Sequence, residues 1–350
     1  MRAHPAFAAL LALASLALPG CVTRPCRGRE HAATSTPPSP EPSWERSGPV
    51  PEARLTLERA GTSSTRWDVV LPSRAGAAAP AVARAPVRMT WFRPTNVTGR
   101  RPAVVVSPIL GSETAFVEDF AERFAREGWH ALAVYRPEPA YDPAQPLAQV
   151  EERLQASVSG QVQALDWLLS CPDVDPRRIA SFGISAGGIQ GAMVAGADPR
   201  YVGHVIALAG GPLADVFVDT DEERLARLVR EAERREGVDR EVLRERLRAV
   251  IRTDPVLLGR HVAPERVLLV LARFDRAVPY RHGRRLEEAL GRPETVVLPL
   301  GHYSSVLAMP FVKSRVLGFL HERFEAVAPA ETGGDPGRAL PSSGPSRSHS

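Results

Sequence analysis

The chain has 350 residues, 44% of them hydrophobic and 24% charged, with a formal net charge of +4. These ordinary globular values exclude a wholly disordered, collagen-like or multi-span membrane protein. Arg carries nearly all the positive charge (the sole Lys is Lys313), but Asp and Glu are interspersed with it and no basic stripe stands alone, so no nucleic-acid partner is expected.

The amino terminus reads as an export address. A basic start, Met1-Arg2-Ala3-His4, precedes a 13-residue apolar run from Ala6 to Leu18, too short for a membrane span but right for the core of a secretory signal over 1–20. It ends in Leu18-Pro19-Gly20-Cys21, which resembles the lipobox of bacterial lipoproteins. The resemblance implies lipidation of Cys21 and anchoring in a bilayer of the cell envelope; a plain secretory signal cleaved nearby, leaving the protein secreted, and a retained membrane helix are the alternatives. Val22 in place of Asp implies the outer membrane in a two-membrane cell. Beyond Cys21, the Pro- and Ser-rich stretch to residue 50 reads as a semi-extended tether, and 328–350 as a disordered tail. Cys26 and Cys171 are the other cysteines, too few for a disulfide framework, and no bridge is expected.

Residues 51–327 alternate strands with helices. Trp67–Leu71 and Val87–Phe92 read as partly exposed strands, with Pro94 and Asn96 turning the chain; Pro102–Val106 is a continuous apolar run, the pattern of a strand buried on both faces. Phe116, Phe120 and Phe124 mark a helix to Arg126. A strand follows at His130–Tyr135, then a helix from about Gln149 to Leu169, a strand at Arg178–Phe182 and a helix after Gly187. Strands at Val202–Ala209, Arg266–Ala272 and Glu294–Leu298, a helix near Arg281–Leu290 and a closing helix at Phe311–Phe324 complete the series. Such alternation implies a doubly wound, mostly parallel α/β sheet with helices on both faces. Between Leu213 and Pro255, two helical patterns (Leu225, Leu228, Val229, Ala232, then Leu243, Leu247, Val250, Ile251) break at Glu236-Gly237 and read as a helical cap over a site, or as a solvated excursion on the domain edge.

Gly183-Ile184-Ser185-Ala186-Gly187 follows the strand Ile179–Phe182 and opens a helix, the strand–turn–helix setting in which a serine can serve as nucleophile. A hydroxyl needs a base to remove its proton, and the base needs a carboxylate to orient it. Asp275 lies just past the apolar run Val267–Ala272, and His302 just past Val296–Leu300. Both stand where the rim of a parallel sheet gathers its loops. Asp215 is the rival acid. His282 and His321 are rival bases, while His130, His204 and His261 read as structural. Without a His-x-x-x-His pair or a Cys cluster, no metal or cofactor is expected.

From about 87 to 325 the chain resembles the α/β-hydrolase fold of the serine esterase and lipase superfamily, near its dienelactone-hydrolase-like and serine-aminopeptidase-like branches. Gly183–Gly188, Asp275 with Val278-Pro279, and Gly301-His302 carry the likeness. It implies Ser185, Asp275 and His302 as catalytic residues, acting on a small-molecule ester. It also implies oxyanion donors at the backbone N–H of Ala186 and of Ile109 or Leu110, because Pro108 in Ser107–Ser112 has none to give. A peptidase or acyltransferase using the same three residues is the alternative within enzymes; a non-catalytic binding module on the same fold is the alternative outside them.

Overall fold

The apolar runs read as doubly buried strands assemble into one sheet. In a computed structural model of the chain, which describes residues 20–28, 49–110, 114–137 and 146–327, the strands are β1 (Val22–Arg24), β2 (Arg54–Ala60), β3 (Ser64–Leu71), β4 (Val87–Pro94) and β5 (Arg101–Ser107), then β6 (His130–Val134), β7 (Val174–Ile184), β8 (Gly203–Ala207), β9 (Val267–Ala272) and β10 (Glu294–Leu298). Their order across the sheet is β1-β10-β9-β8-β7-β5-β6-β4-β3-β2. The central six, from β10 to β6, are parallel; β4, β3 and β2 extend one side antiparallel, and β1 closes the other side antiparallel. The expected doubly wound, mostly parallel architecture is what the chain forms.

Helices cover both faces because successive strand residues point opposite ways. Val104, Val106, Phe182, Val205 and Val270 pack under α1 (Thr114–Arg126), through Phe120 and Phe124, and under α9 (Met309–Glu325), through Val316 and Phe319. Ala103, Val105 and Ile179 turn to the other face, toward α2 (Ala148–Ser170) and α3 (Ala186–Ala197); Leu269 and Leu271 meet α8 (Tyr280–Ala289) through Leu286. Each such Val, Ile, Leu or Phe side chain removed from water contributes about 1.5–3 kcal/mol against the entropy of folding.

Between β8 and β9 lie α4 (Leu213–Asp219), α5 (Glu223–Glu236), α6 (Arg240–Val250) and α7 (Pro255–Gly259). The anticipated break falls at Gly237, whose left-handed φ of 63° ends α5. Asp239 then caps α6 by accepting the Val242 N–H at 2.9 Å.

Two expectations need correction, and one strand escapes the sequence pattern. Residues 22–24, assigned to the tether, are a sheet strand: Val22 pairs with Val297 and Arg24 with Thr295, and the Arg24 guanidinium meets Glu287 at 2.7 Å. β2 was not anticipated, because every one of its residues is exposed and no buried face gives it a pattern. Pro94 does not turn the chain after Phe92 but is the last residue of β4. The signal over 1–19, the tether residues 29–48 and the tail 328–350 lie outside the described residues. No helix among the described residues is long and apolar enough to cross a membrane.

Candidate active site

At the end of β7 the chain reverses direction within one residue. Ser185 holds φ 57° and ψ −124°, a conformation that costs a non-glycine residue about 1–3 kcal/mol and lifts its side chain above the sheet. The flanking glycines make this possible. A Cβ on Gly183 would stand 2.2 Å from the Gly187 carbonyl oxygen, and one on Gly187 would stand 2.0 Å from the Ser107 oxygen. The turn therefore packs backbone against backbone, directly beneath the end of β5.

The two other residues arrive on adjacent loops. After β9 and β10, Arg273 donates its N–H to Leu298 O at 2.8 Å and Phe274 donates to Leu300 O at 2.9 Å, so the loops are zipped together. Asp275 then receives the Val278 N–H on Oδ1 at 2.8 Å and faces His302 Nδ1 with Oδ2, also at 2.8 Å. On the far side of the imidazole, Nε2 stands 3.0 Å from Ser185 Oγ. Ser185, His302 and Asp275 are thus brought into one line. The imidazole can take the serine proton while the carboxylate fixes its tautomer.

The rivals lie elsewhere. Asp215 is buried beneath Arg248, Arg285 and Arg244 at 2.7, 2.6 and 3.2 Å, an arrangement that holds its carboxyl below the usual range despite burial. His282 pairs with Asp219 at 2.8 Å; His321 meets Glu127 at 3.1 Å and Trp129 edge-on. His130 stacks on Trp91, and His204 is fully buried against Ser181 Oγ at 2.8 Å, where loss of solvent pushes its pKa down to about 3.

Sequence reasoning missed Arg136. It follows β6 at the carboxyl edge of the sheet and donates to Pro108 O at 2.7 Å, Ile109 O at 2.6 Å and Gln190 Oε1 at 3.1 Å. Two carbonyls of the stretch beside Ser185 are therefore turned toward the guanidinium, and Ile109 and Leu110 line the cavity next to the serine. A lone cation just past an apolar strand was the available signal. Gly111 and Ser112 lie outside the described residues. The Ala186 N–H begins α3, where a helix amino terminus favours negative charge.

Ser185 and His302 open into a cavity of about 550 Å³. Its walls are mainly apolar: Ile189 and Met193 from the body, Leu213, Val216 and Phe217 from α4, and Leu225 from α5. The segment 213–255 thus covers the site with its first helices, while α6 braces α4 from behind. Thr220 Oγ1 donates to Ala277 O at 2.7 Å, and the Arg252 and Thr253 N–H groups reach Glu151 on α2 at 2.8 and 3.0 Å, so both ends of the cap are fastened to the body.

Sheet order, the strand–turn–helix at Ser185 and the site at the carboxyl edge of the sheet together give the chain the α/β-hydrolase fold. Over residues 150–298, which include Ser185 and Asp275 but end before His302, the sequence matches the model of the prolyl oligopeptidase family. Solved structures agree on the fold. An acetyl xylan esterase from Paenibacillus sp. R4 superposes with a TM-score of 0.64 at 19% identity, covering 80% of this chain and 91% of its own. Acetyl xylan esterase 1 from Thermoanaerobacterium sp. JW/SL YS485 gives 0.58 at 14% identity, covering 78% and 88%. A putative dienelactone hydrolase from Klebsiella pneumoniae gives 0.51 at 16% identity, covering 74% and 99%. Among curated proteins none matches.

Proposed function

We propose that the protein is a serine hydrolase that cleaves a carboxylic ester through an acyl-enzyme. One observation carries this reading: the Ser185 Oγ–His302 Nε2–Asp275 line, at 3.0 and 2.8 Å, stands at the mouth of an apolar cavity. Ser185 Oγ attacks the ester carbonyl while His302 Nε2 accepts its proton. The resulting oxyanion is met by the N–H groups of Ala186 and of Ile109 or Leu110. As the tetrahedral centre collapses, the C–O bond to the alcohol breaks and His302 returns the proton to the leaving oxygen. Water then repeats the sequence on the acyl-Ser185, releasing the acid. Asp275 keeps the imidazole in one tautomer and stabilises its charged form throughout. The cavity is far larger than an acetyl group needs and mainly apolar, which supports a hydrophobic acyl or alcohol portion.

The match to the prolyl oligopeptidase family over 150–298 favours a second reading, in which the same residues cleave an amide. Location is part of the proposal: lipidation at Cys21 would fix the enzyme to a membrane of the cell envelope.

Labelling with a fluorophosphonate, followed by matched ester and anilide panels, tests the assignment. Wild type should be labelled at Ser185 and turn over esters. Ser185→Ala should take no label and lose turnover by about 10⁴-fold or more while melting at the wild-type temperature. Retained turnover in folded Ser185→Ala would falsify the nucleophile, and preference for anilides would select the second reading.

A further inference from the structure

The pairing of β1 with β10 places Cys21 where the tether reading did not. Val22 lies opposite Val297, and the preceding Gly20 sits against Pro299 (a Cβ on it would be 3.4 Å from that ring). Cys21 therefore lies at the carboxyl end of β10, its side chain half-buried against the core, beside the segment Pro299-Leu300-Gly301 that leads into His302. A lipid on its sulfur would leave the protein at the rim that holds the site.

The same rim collects the apolar surface. Nine large hydrophobic side chains are exposed among the described residues. Phe274, Tyr303, Val306 and Leu307 belong to the loops after β9 and β10, and Val22 adjoins Cys21; the other four are scattered over β2, α6 and α7. Phe274 is 66% exposed and Leu307 71%, although the short helix Ser304–Ala308 that carries Leu307 is long enough to bury Ser305 and Ala308. Tyr303 and Val306 also line the cavity, so the patch runs into its mouth. Exposed apolar groups gathered in this way mark an interaction surface. Arg273 and Arg276, both exposed, flank Phe274; Arg273 stacks over the Tyr280 ring and Arg276 meets Asp221 at 3.2 Å, so the border of the patch carries charges of both signs.

We propose that this rim rests on a lipid bilayer, with Phe274, Val306 and Leu307 in the headgroup–acyl boundary, and that the cavity takes its ester from the membrane. The inference deepens the hydrolase reading and rests on it for the source of the substrate. A second copy of the chain docked on the same patch would shut the cavity, whereas a bilayer supplies an apolar substrate through it. Placement beside Cys21, the residue proposed above to carry a lipid, favours the bilayer further, since two weak membrane signals together give stable attachment.

The test uses the processed chain from cells, reconstituted in phosphatidylcholine–phosphatidylglycerol vesicles. A thiol-reactive fluorophore is placed by Leu307→Cys or, on the far sheet edge, by Leu57→Cys, each with Cys26→Ser. Cys171 stays unlabelled because burial pushes its thiol up to about 12. Brominated acyl chains should quench position 307 several-fold more than position 57. The ratio of vesicle-embedded to water-soluble ester turnover should fall about tenfold in Phe274→Ser/Leu307→Ser, through lost apolar burial. Equal quenching at the two positions, no association with vesicles, or shielding of position 307 by a dimer in solution would each overturn the proposal. If neither ester is turned over while 307 is selectively quenched, the hydrolase reading fails and the membrane-facing rim stands. Label stoichiometry reports separately whether the Cys21 sulfur is blocked by lipid.

Discussion

Two Asp–His pairs stand at the carboxyl side of this sheet with the same 2.8 Å separation, and their surroundings give them opposite characters. Asp275 spends its carboxylate on His302 and one backbone N–H, and His302 presents its second nitrogen to a serine hydroxyl at an open cavity. Asp219 is shared by Arg244, Arg281 and His282, which pull its carboxyl far below the ordinary range despite the opposing effect of burial. The second nitrogen of His282 is buried and has no polar partner. Proximity of the two residue types therefore decides little. What distinguishes the first pair is a free reactive atom beyond the imidazole, and what distinguishes the second is cationic saturation of the acid. The second pair, with Asp215, reads as the clamp that joins α4 and α6 of the cap to α8.

The sharpest separation comes from the histidines. His302→Ala should lower ester turnover at least about 10⁴-fold with little change in melting temperature. His282→Ala should leave turnover within a few-fold and cost about 2 kcal/mol of stability, as loss of a buried polar group does. A paired assay of turnover and urea unfolding checks both, and exchange of the two phenotypes would overturn the comparison. Among the acids, Asp275→Asn should reduce turnover about 10³- to 10⁴-fold by favouring the wrong tautomer of His302. Asp219→Asn and Asp215→Asn should instead loosen the cap, each by roughly 1–3 kcal/mol, the usual result of leaving cations without their partner. Steady-state kinetics beside thermal melts would show whether the two classes stay apart.

A smaller effect is expected at Arg136. Arg136→Met should lower kcat by up to about 10²-fold, since the stretch Pro108–Leu110 loses its clamp and a misplaced donor weakens stabilisation of the oxyanion. KM should change less and stability little; a KM effect alone would make Arg136 a substrate contact.

The smallest effect is in acid stability. Burial holds the folded-state pKa of His282 below its ordinary 6.5, outweighing the Asp219 carboxylate. Below that pH the unfolded chain therefore takes up protons that the folded chain does not, and stability falls. Asp219, with a depressed pKa, adds a second decline below its ordinary 3.8. His130 and His204 are shifted in the same direction as His282, so His282→Asn should flatten the upper decline only in part. Urea midpoints measured from pH 7.5 to 4 would reveal it; identical slopes in wild type and variant would remove His282 from the account.

Much of this was legible in the chain because parallel strands announce themselves as continuous apolar runs, and the residues just past them reach the rim. Ser185 follows Ile179–Ile184, Asp275 follows Val267–Ala272 and His302 follows Glu294–Leu298, each within a few residues of its strand. The parts that stayed hidden depend on pairing across long separations. Asp219 meets His282 from 63 positions away, and Arg136 orders carbonyls 27 and 28 positions earlier through contacts that no spacing encodes. β2 presents no buried face, and β1 is three residues long, with neither the length nor the alternation by which a strand is recognised.

That short first strand has a consequence for handling the protein. Edges of sheets are templates for intermolecular pairing, and native chains blunt them with brief, charged strands. Val22–Arg24 does this for β10, whose Thr295, Val296 and Val297 would otherwise offer free N–H and C=O groups next to apolar side chains. Removing everything before residue 50, the natural cut if the leader and linker are thought dispensable, uncovers that edge and frees Glu287 and Arg292 of their bonds to Arg24 and Arg27. The uncovered strand is the one that leads into His302. A chain shortened there courts self-association at the same element that positions His302, whereas one beginning at Cys21 keeps the edge covered.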